Sequence, residues 1–283
     1  MEITFKDFIE ENIAEREYAL NEYQRDKDNK NNFSYWFKRI KNVSGFAIPE
    51  SKIVPIPFDI WVLFHYDQVM NYSEYIEKYV NDKLVPVLLD NSPNRGYIYF
   101  VKNGRFSHKF SYNKCVTNVY RIKDSFIDIC YAAECVGAGG NTEFVIRDYI
   151  SYDQEKYATI YSGLPLRCEI RLSYDFDTHK VLYPVNYWDH DYVYNHLYAK
   201  TDKIIFSAER YSIQQAYDHC KDYICEQVEN GFKDVELDGQ WSIDIMIDES
   251  HNRSVPYLID MAIAQNSAYW NENKIKNIEK EVA

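Results

Sequence analysis

The sequence predicts an α+β protein with antiparallel sheets, and three observations predict it. The stretch WSIDIMIDESHNRSVPYLIDMAI alternates apolar and polar residues, breaks at a polar loop and then resumes, the pattern of a half-buried β-hairpin. LPLRCEIRLSYD and KVLYPVNYW make a second hairpin pattern across FDTH. The composition, 27 Tyr and 15 Phe in 283 residues, is rich in the aromatic residues that strands favour.

In chain order, FKDFIEENIAEREYALNEY carries apolar residues at helical spacing, and QRDKDNKNN ends that helix as a loop. Residues 33–90 mix short strands, Pro-rich turns (IPESKIVPIPFDIWVLF) and a helix near SEYIEKYVNDKL, so residues 1–95 are expected to form a small α/β lobe. GYIYFVK reads as a strand entering a Gly-containing loop, and beyond a mixed region TEFVIRDYI reads as another. After the second hairpin, SIQQAYDHCKDYICEQVENG is a helix, with Ser212 and Gln215 as a capping box and Gly231 placed to end it. Residues 271–283, NENKIKNIEKEVA, are a polar helical tail. The sequence contains no internal repeat and no low-complexity segment.

In the 241–263 hairpin, Ile243, Ile245 and Ile247 share one face, and Ile259, Met261 and Ile263 share one on the return strand; both must point to one core. Pairing Asp248 with Pro256 then sets Asp244 directly opposite Asp260. Opposed side chains have Cβ atoms roughly 5 Å apart, where like charges destabilise. Protonation of one carboxyl, neutralisation by nearby Arg or Lys, or a divalent cation would each relieve the pair. A solvent-facing sheet surface with screened charges accounts for it as well.

Lys plus Arg number 32 against 44 Asp plus Glu, a net charge of −12, which argues against a general nucleic-acid or anionic-membrane surface. No apolar run approaches the ~20 residues that span a bilayer, and MEITFKDFIEENIAEREY is too acidic for a targeting peptide. A soluble cytoplasmic protein is expected, with neither membrane nor nucleic acid as partner. Six cysteines without C-x-x-C pairs, and histidines without H-E-x-x-H spacing, rank zinc chemistry low; the absence of G-x-S-x-G does the same for that hydrolase class.

Two sets of residues carry binding chemistry. In RCEIR, Arg167, Glu169 and Arg171 share one strand face, and two guanidiniums there suit phosphate oxygens, although a solvated charge ladder has the same pattern. In FVKNGRFSHKF, Lys102, Ser107 and Lys109 surround Gly104, which permits an unusual backbone turn in a loop able to fold over polyphosphate; a basic surface turn reads the same way. This is not a P-loop, and VGAGGN reads as a flexible connection.

The order of these features, a cation-bearing loop, a buried strand with a polar end, an Arg-bearing hairpin and two late strand aspartates, resembles the ATP-grasp superfamily. The resemblance is strongest to the branch containing the eukaryotic chaperones that assemble translation initiation factor two, and related phage and bacterial proteins; it covers about Tyr97 to Trp270. It implies a nucleotide-binding region over residues 96–270, two antiparallel-sheet lobes with ATP between them, preceded by the small α/β lobe. It implies further that Lys102 and Lys109 contact the phosphates, with Ser107 in the loop above them. Arg147, Asp148, Tyr149 and Ile150 would lie by the adenine, and Arg167 matches the Arg of the F-R-x-F type strand. Asp244 and Asp260 match the two magnesium-binding acids.

Most members have Asn two residues after the last acid; here that position is Ala262, followed by Gln265 and Asn266. The implied activity is a ligase that uses magnesium and ATP to activate a small-molecule or peptide carboxylate as an acyl phosphate for attack by an amine or thiol, with Arg167 and Arg171 stabilising the transferring phosphoryl group. The alternative is an ATP-binding assembly protein, with a protein partner and no ligated product. A nucleic-acid ligase lacks its K-x-D-G motif here.

Overall fold

The computed structural model describes residues 13–91, 97–249 and 254–275. The start of the expected N-terminal helix, the tip of the ESHNRSV loop and the tail beyond residue 275 lie outside these residues. The chain divides into two compact units, one of residues 1–34 and 50–149, the other of residues 35–49 and 150–283. Both are mixed α and β with antiparallel sheets, as the composition and hairpins predict.

The first unit is built on four strands, β1 (Ser51–Pro55), β2 (Tyr99–Asn103), β3 (Val116–Thr117) and β4 (Glu143–Asp148), in the order β1-β4-β2-β3. Strand alternation sends Val54, Tyr99, Val101, Phe144 and Ile146 to an apolar core with Trp61, Phe64, Ile76, Phe126 and Ile129. Lys102, Glu143, Val145 and Arg147 take the opposite face by the same alternation. The helix Ile122–Cys135 occupies the stretch whose sequence pattern looked mixed, and its buried Ile122, Phe126, Ile129, Cys130 and Ala133 recur at helical spacing. Helical backbone from Ser73 continues to Asn91 through a π turn at Val80–Leu84. Pro86 follows that turn and has no N–H for the α-helical ladder, a local cause for the interruption.

The division differs from the boundary expected at residues 95 and 96. All five residues of β1 pair with β4, so residues 50–95 and 96–149 share one sheet and one core.

The second unit carries β7 (Glu169–Asp175), β8 (Lys180–Asn186), β9 (Gln240–Asp248) and β10 (Val255–Ile263), in the order β10-β9-β7-β8. A separate two-stranded pair, β5 (Thr159–Ile160) with β6 (Leu164–Pro165), precedes them. The helix Lys200–Phe232 packs on β7 and β8, and its buried Phe206, Ile213, Tyr217, Ile224, Val228 and Phe232 recur at seven- and four-residue steps. That helix begins well before Ser212, the expected cap. Ser212 is interior and its hydroxyl donates to the Glu209 carbonyl at 2.8 Å; the cap position is Ala199. The apolar stripe starts at Phe206, and burying it extends the helix past a local capping signal.

The 241–263 hairpin forms with a different register. Asp248 pairs with Val255 rather than Pro256, and Pro256 faces Ile247. A bulge between Leu258 and Asp260 then inserts Ile259 as an extra residue, which restores Asp260 opposite Asp244. The acids therefore face each other, as expected, through a bulge the alternation did not reveal. The cost falls on Ile259: Leu258 is buried opposite Ile245 in its place. The outer edge of β10 is covered by Ala47, whose N–H donates to the Pro256 carbonyl at 2.9 Å while its carbonyl accepts from the Leu258 N–H at 3.0 Å.

Gly231, expected to end the long helix, lies inside its last turn, and a methyl added there would meet the Ser44 carbonyl oxygen at 2.6 Å. Gly→Ala within an exposed helix stabilises by about 1 kcal/mol. Here Gly231→Ala should instead destabilise, by about 1–3 kcal/mol from overpacking, read as a lower chemical-denaturation midpoint.

Candidate functional site

The polar face of the second unit's sheet holds the residues that matter most. Arg171 on β7 pairs with Asp244 on β9, and Asp244 pairs with Asp260 on β10, so a cation and two acids form one row across three adjacent strands. Arg171 Nε donates to Asp244 Oδ1 at 2.7 Å and Nη2 donates to Oδ2 at 2.7 Å, a bidentate pair in which Asp244 is 5 % exposed. Burial by itself would lower the Arg171 pKa; the Asp244 charge and hydrogen bonds, with smaller help from Glu169 and Asp260, outweigh it and hold the guanidinium charged. Asp260 Oδ1 accepts from the Met261 N–H at 3.1 Å. Of the three remedies for opposed acids, neutralisation by Arg is the one this row contains.

The segment after β10 folds back onto this face. Arg171 Nη1 donates to the Ala268 carbonyl at 3.3 Å, and its guanidinium carbon lies 4.9 Å from the centre of the Tyr187 ring. Tyr183 Oη donates to the Tyr269 carbonyl at 3.2 Å and accepts from the Asn271 N–H at 3.0 Å, while Tyr269 Oη donates to the Tyr187 carbonyl at 2.8 Å. The Ser242 and Ser267 hydroxyls hydrogen-bond at 2.5 Å. A half-open pocket of about 10 Å³, about one water in size, is bordered by Arg171, Ser173, Tyr183, Ser242, Ser267 and Trp270.

Arg167 is not on the strand face with Arg171. β7 begins at Glu169, and the Arg167 guanidinium turns toward the start of the unit. It is 4 % exposed, donates from Nη2 to the Ile150 carbonyl at 3.1 Å, and approaches Asp248 Oδ1 at 3.4 Å and the Ser151 carbonyl at 3.5 Å from Nη1. Arg167 thus anchors the backbone at residues 150–151, the end of the segment expected to meet adenine.

In the first unit, Lys102 and Arg147 share the polar sheet face. Lys102 Nζ lies 5.8 Å and the Arg147 guanidinium carbon 5.4 Å from the centre of the Phe33 ring, so two buried cations each lie within cation–π distance of one ring. Asp148 closes β4, where burial, reinforced by Glu50, raises its pKa; Tyr149 follows it, half-buried. Ser107 and Lys109 follow the turn after β2, where the Lys109 N–H donates to the Ser107 carbonyl at 2.7 Å.

That turn is fixed at its base. Asn103 Oδ1 accepts from the Arg105 and Phe106 N–H groups at 2.9 and 2.5 Å, and Asn103 Nδ2 donates to Asn141 Oδ1 at 2.9 Å. Gly104 is required for closeness rather than for an unusual φ: its Cβ position is filled by the Glu143 side chain. In the VGAGGN segment Gly137, Gly139 and Gly140 have positive φ, and the Arg105 guanidinium, paired with Asp26 at 2.8 Å, fills the Cβ position of Gly140.

Residues the sequence reading missed are Tyr183, Tyr187, Ser242, Ser267 and Tyr269. Strand parity places Ser242 beside Asp244 on the polar face, a readable signal; the return of residues 264–271 had none. Among the described residues, no group of three or more His, Cys, Asp or Glu side chains is placed to hold a metal ion, and no helix is long and apolar enough to cross a membrane.

No family model matches the chain, and no curated protein matches it. Solved structures of similar chain course include C-terminally truncated Cdc123 from Schizosaccharomyces pombe, 12 % identical over 87 % of this chain and 89 % of that one, with a TM-score of 0.49. Another is D-alanine–D-alanine ligase from Bacillus anthracis complexed with ATP, 12 % identical over 89 % of this chain and 63 % of that one, with a TM-score of 0.39. A third is the biotin carboxylase domain of Hydrogenobacter thermophilus 2-oxoglutarate carboxylase with MgADP, 12 % identical over 61 % of this chain and 32 % of that one, at 0.32.

Proposed function

We propose that the chain binds magnesium-ATP, with the phosphates met by Arg171 on the polar face of the second unit's sheet and the metal held by Asp244 and Asp260. The observation that carries this reading is the row Arg171–Asp244–Asp260. Ordinary sheets avoid directly opposed acids, and here a bulge sets them opposite each other. One guanidinium engages Asp244, and the two facing carboxylates together offer hard oxygen donors of the kind a divalent cation takes.

The donor set fits magnesium, which takes one or two carboxylates and completes its shell with phosphate oxygens and water. Each Asp244 oxygen gives one lone pair to Arg171 and retains another. Bound there, magnesium would neutralise phosphate charge. Asp244 takes the Nε and Nη2 edge of Arg171 and with the Tyr187 ring holds the guanidinium in plane, which leaves the Nη1 edge as the one to meet a phosphate oxygen.

The reaction this supports is ligation: a carboxylate oxygen of the acceptor takes the terminal phosphoryl group, releasing ADP, and an amine or thiol then attacks the acyl phosphate and releases inorganic phosphate. A second reading, nucleotide binding that orders a protein partner without ligation, is favoured by Ala262. That residue stands opposite Ser242 and offers no side-chain ligand where the resembled family has Asn.

Melting the protein with millimolar magnesium-ATP tests the shared part of both readings. A ligand at 100 times its Kd stabilises the folded state by about 2.7 kcal/mol; an unchanged melting temperature removes the nucleotide. ADP release dependent on one member of a panel of carboxylates and amines identifies the ligase, and tight binding without turnover identifies the assembly protein.

The two acids should respond differently to amidation. Asp244→Asn leaves the partly buried Arg171 without its counter-charge and should destabilise the ligand-free protein, by about 1–3 kcal/mol. Asp260→Asn removes the repelling partner and should leave the denaturation midpoint equal or higher, while lowering magnesium-dependent ATP affinity. A drop in that midpoint with unaltered affinity takes Asp260 out of the site. The motif resemblance also assigns Lys102, Lys109 and Ser107 to phosphate and residues 147–150 to adenine. Lys102→Met, which keeps the buried volume and removes the charge, should weaken ATP binding by roughly tenfold or more in calorimetry, the loss expected for a charge-assisted contact.

A further inference from the structure

Residues 264–271 follow β10 and lie across the polar face; Ala264 at their start is buried, and beyond it polar and aromatic side-chain contacts hold them. Their backbone takes one hydrogen bond from Arg171 at Ala268, and Tyr183 ties down Tyr269 and Asn271. Ser267 is tied to Ser242, and the Tyr192 and Tyr269 rings meet at 4.4 Å between centroids. The same guanidinium that occupies both Asp244 oxygens is therefore gripped by this segment.

The closed arrangement is held against a backbone penalty. Tyr269 sits at φ +69°, a left-handed conformation that a bulky side chain seldom adopts and that the surrounding contacts must impose. The Arg171–Ala268 contact, at 3.3 Å, is the longest of the three polar contacts of Arg171. It is the contact that a stronger acceptor displaces first.

We infer that residues 264–271 are an autoinhibitory latch: closed, they hold Arg171 down on Asp244, and a polyanion that draws Arg171 away releases them. This rests on the magnesium-ATP reading of the same face. Arg171 then serves two competing acceptors, the latch carbonyl and a phosphate oxygen. Only the fraction of molecules with the latch open binds at full strength, so apparent affinity falls by that fraction.

The test combines calorimetry with hydrogen exchange on the full chain. Tyr183→Phe deletes both hydroxyl contacts to the latch while leaving Arg171, Asp244 and Asp260 in place, and Ser267→Ala loosens it at an independent point. Each variant should speed exchange of the 267–271 amides by roughly tenfold, as local opening becomes easier, and should bind magnesium-ATP more tightly than the parent. In the parent, magnesium-ATP should speed exchange at those same amides. If the parent binds magnesium-ATP and these amides slow or stay unchanged, or if the variants loosen the segment with no gain in affinity, the segment is merely structural and the latch is overturned while the nucleotide reading stands. If parent and variants alike show no binding heat with magnesium-ATP, both fall together.

Discussion

The bidentate Arg171–Asp244 pair is the interaction on which the polar face of the second unit depends. Asp244 is buried and Arg171 largely covered at the middle of the β10-β9-β7-β8 sheet, and removing Arg171 would leave the buried Asp244 charge uncompensated. A lysine would not serve equally, because its ammonium lacks the planar fork that takes both carboxylate oxygens at 2.7 Å. The neighbours follow from this one constraint. Tyr187 lies against the guanidinium, Ala268 caps its remaining edge, and Asp260 is brought opposite by the bulge at Ile259.

Much of the fold was legible wherever burial follows period. The hairpins at 169–186 and 240–263 and the strands at 99–103 and 143–148 come directly from alternation, because one face of each must leave water. What escaped was decided by tertiary packing. Ser212 and Gln215 form a capping pattern by residue type, yet the stripe from Phe206 to Phe232 needs helix on both sides of them. Likewise Asp248 was expected opposite Pro256, and only the inserted Ile259 reconciles the true start of pairing with the facing acids.

The site was legible in its residue types and less so in their partners. Arg171, Asp244 and Asp260 share one row because strand parity fixes faces, and parity can be read from sequence. Arg167 has the same parity as Arg171 and would join them if β7 began two residues earlier. The strand starts at Glu169, so the Arg167 side chain is free to turn to the carbonyl groups of residues 150 and 151. Gly104 was assigned for backbone freedom, whereas its reason is the Glu143 side chain packed where a Cβ would stand, a long-range fact that no local pattern encodes.

The strip at residues 35–49 that covers the edge of β10 belongs to the second unit, although the next hundred residues belong to the first. During synthesis Ala47 leaves the ribosome long before Tyr257, its eventual bridge partner, exists. It must wait while residues 50–149 complete a sheet of their own, and joining it to β10 closes a loop of some two hundred residues. That closure adds only slowly with length to the entropy of ordering, on the order of 0.6 kcal/mol for each doubling, so the delay is a matter of time rather than of stability. A fragment beginning at residue 150 would present β10 with a bare edge. Carving out the second unit as an independent piece therefore calls for a permuted chain in which residues 35–49 are spliced beside the strand they cover.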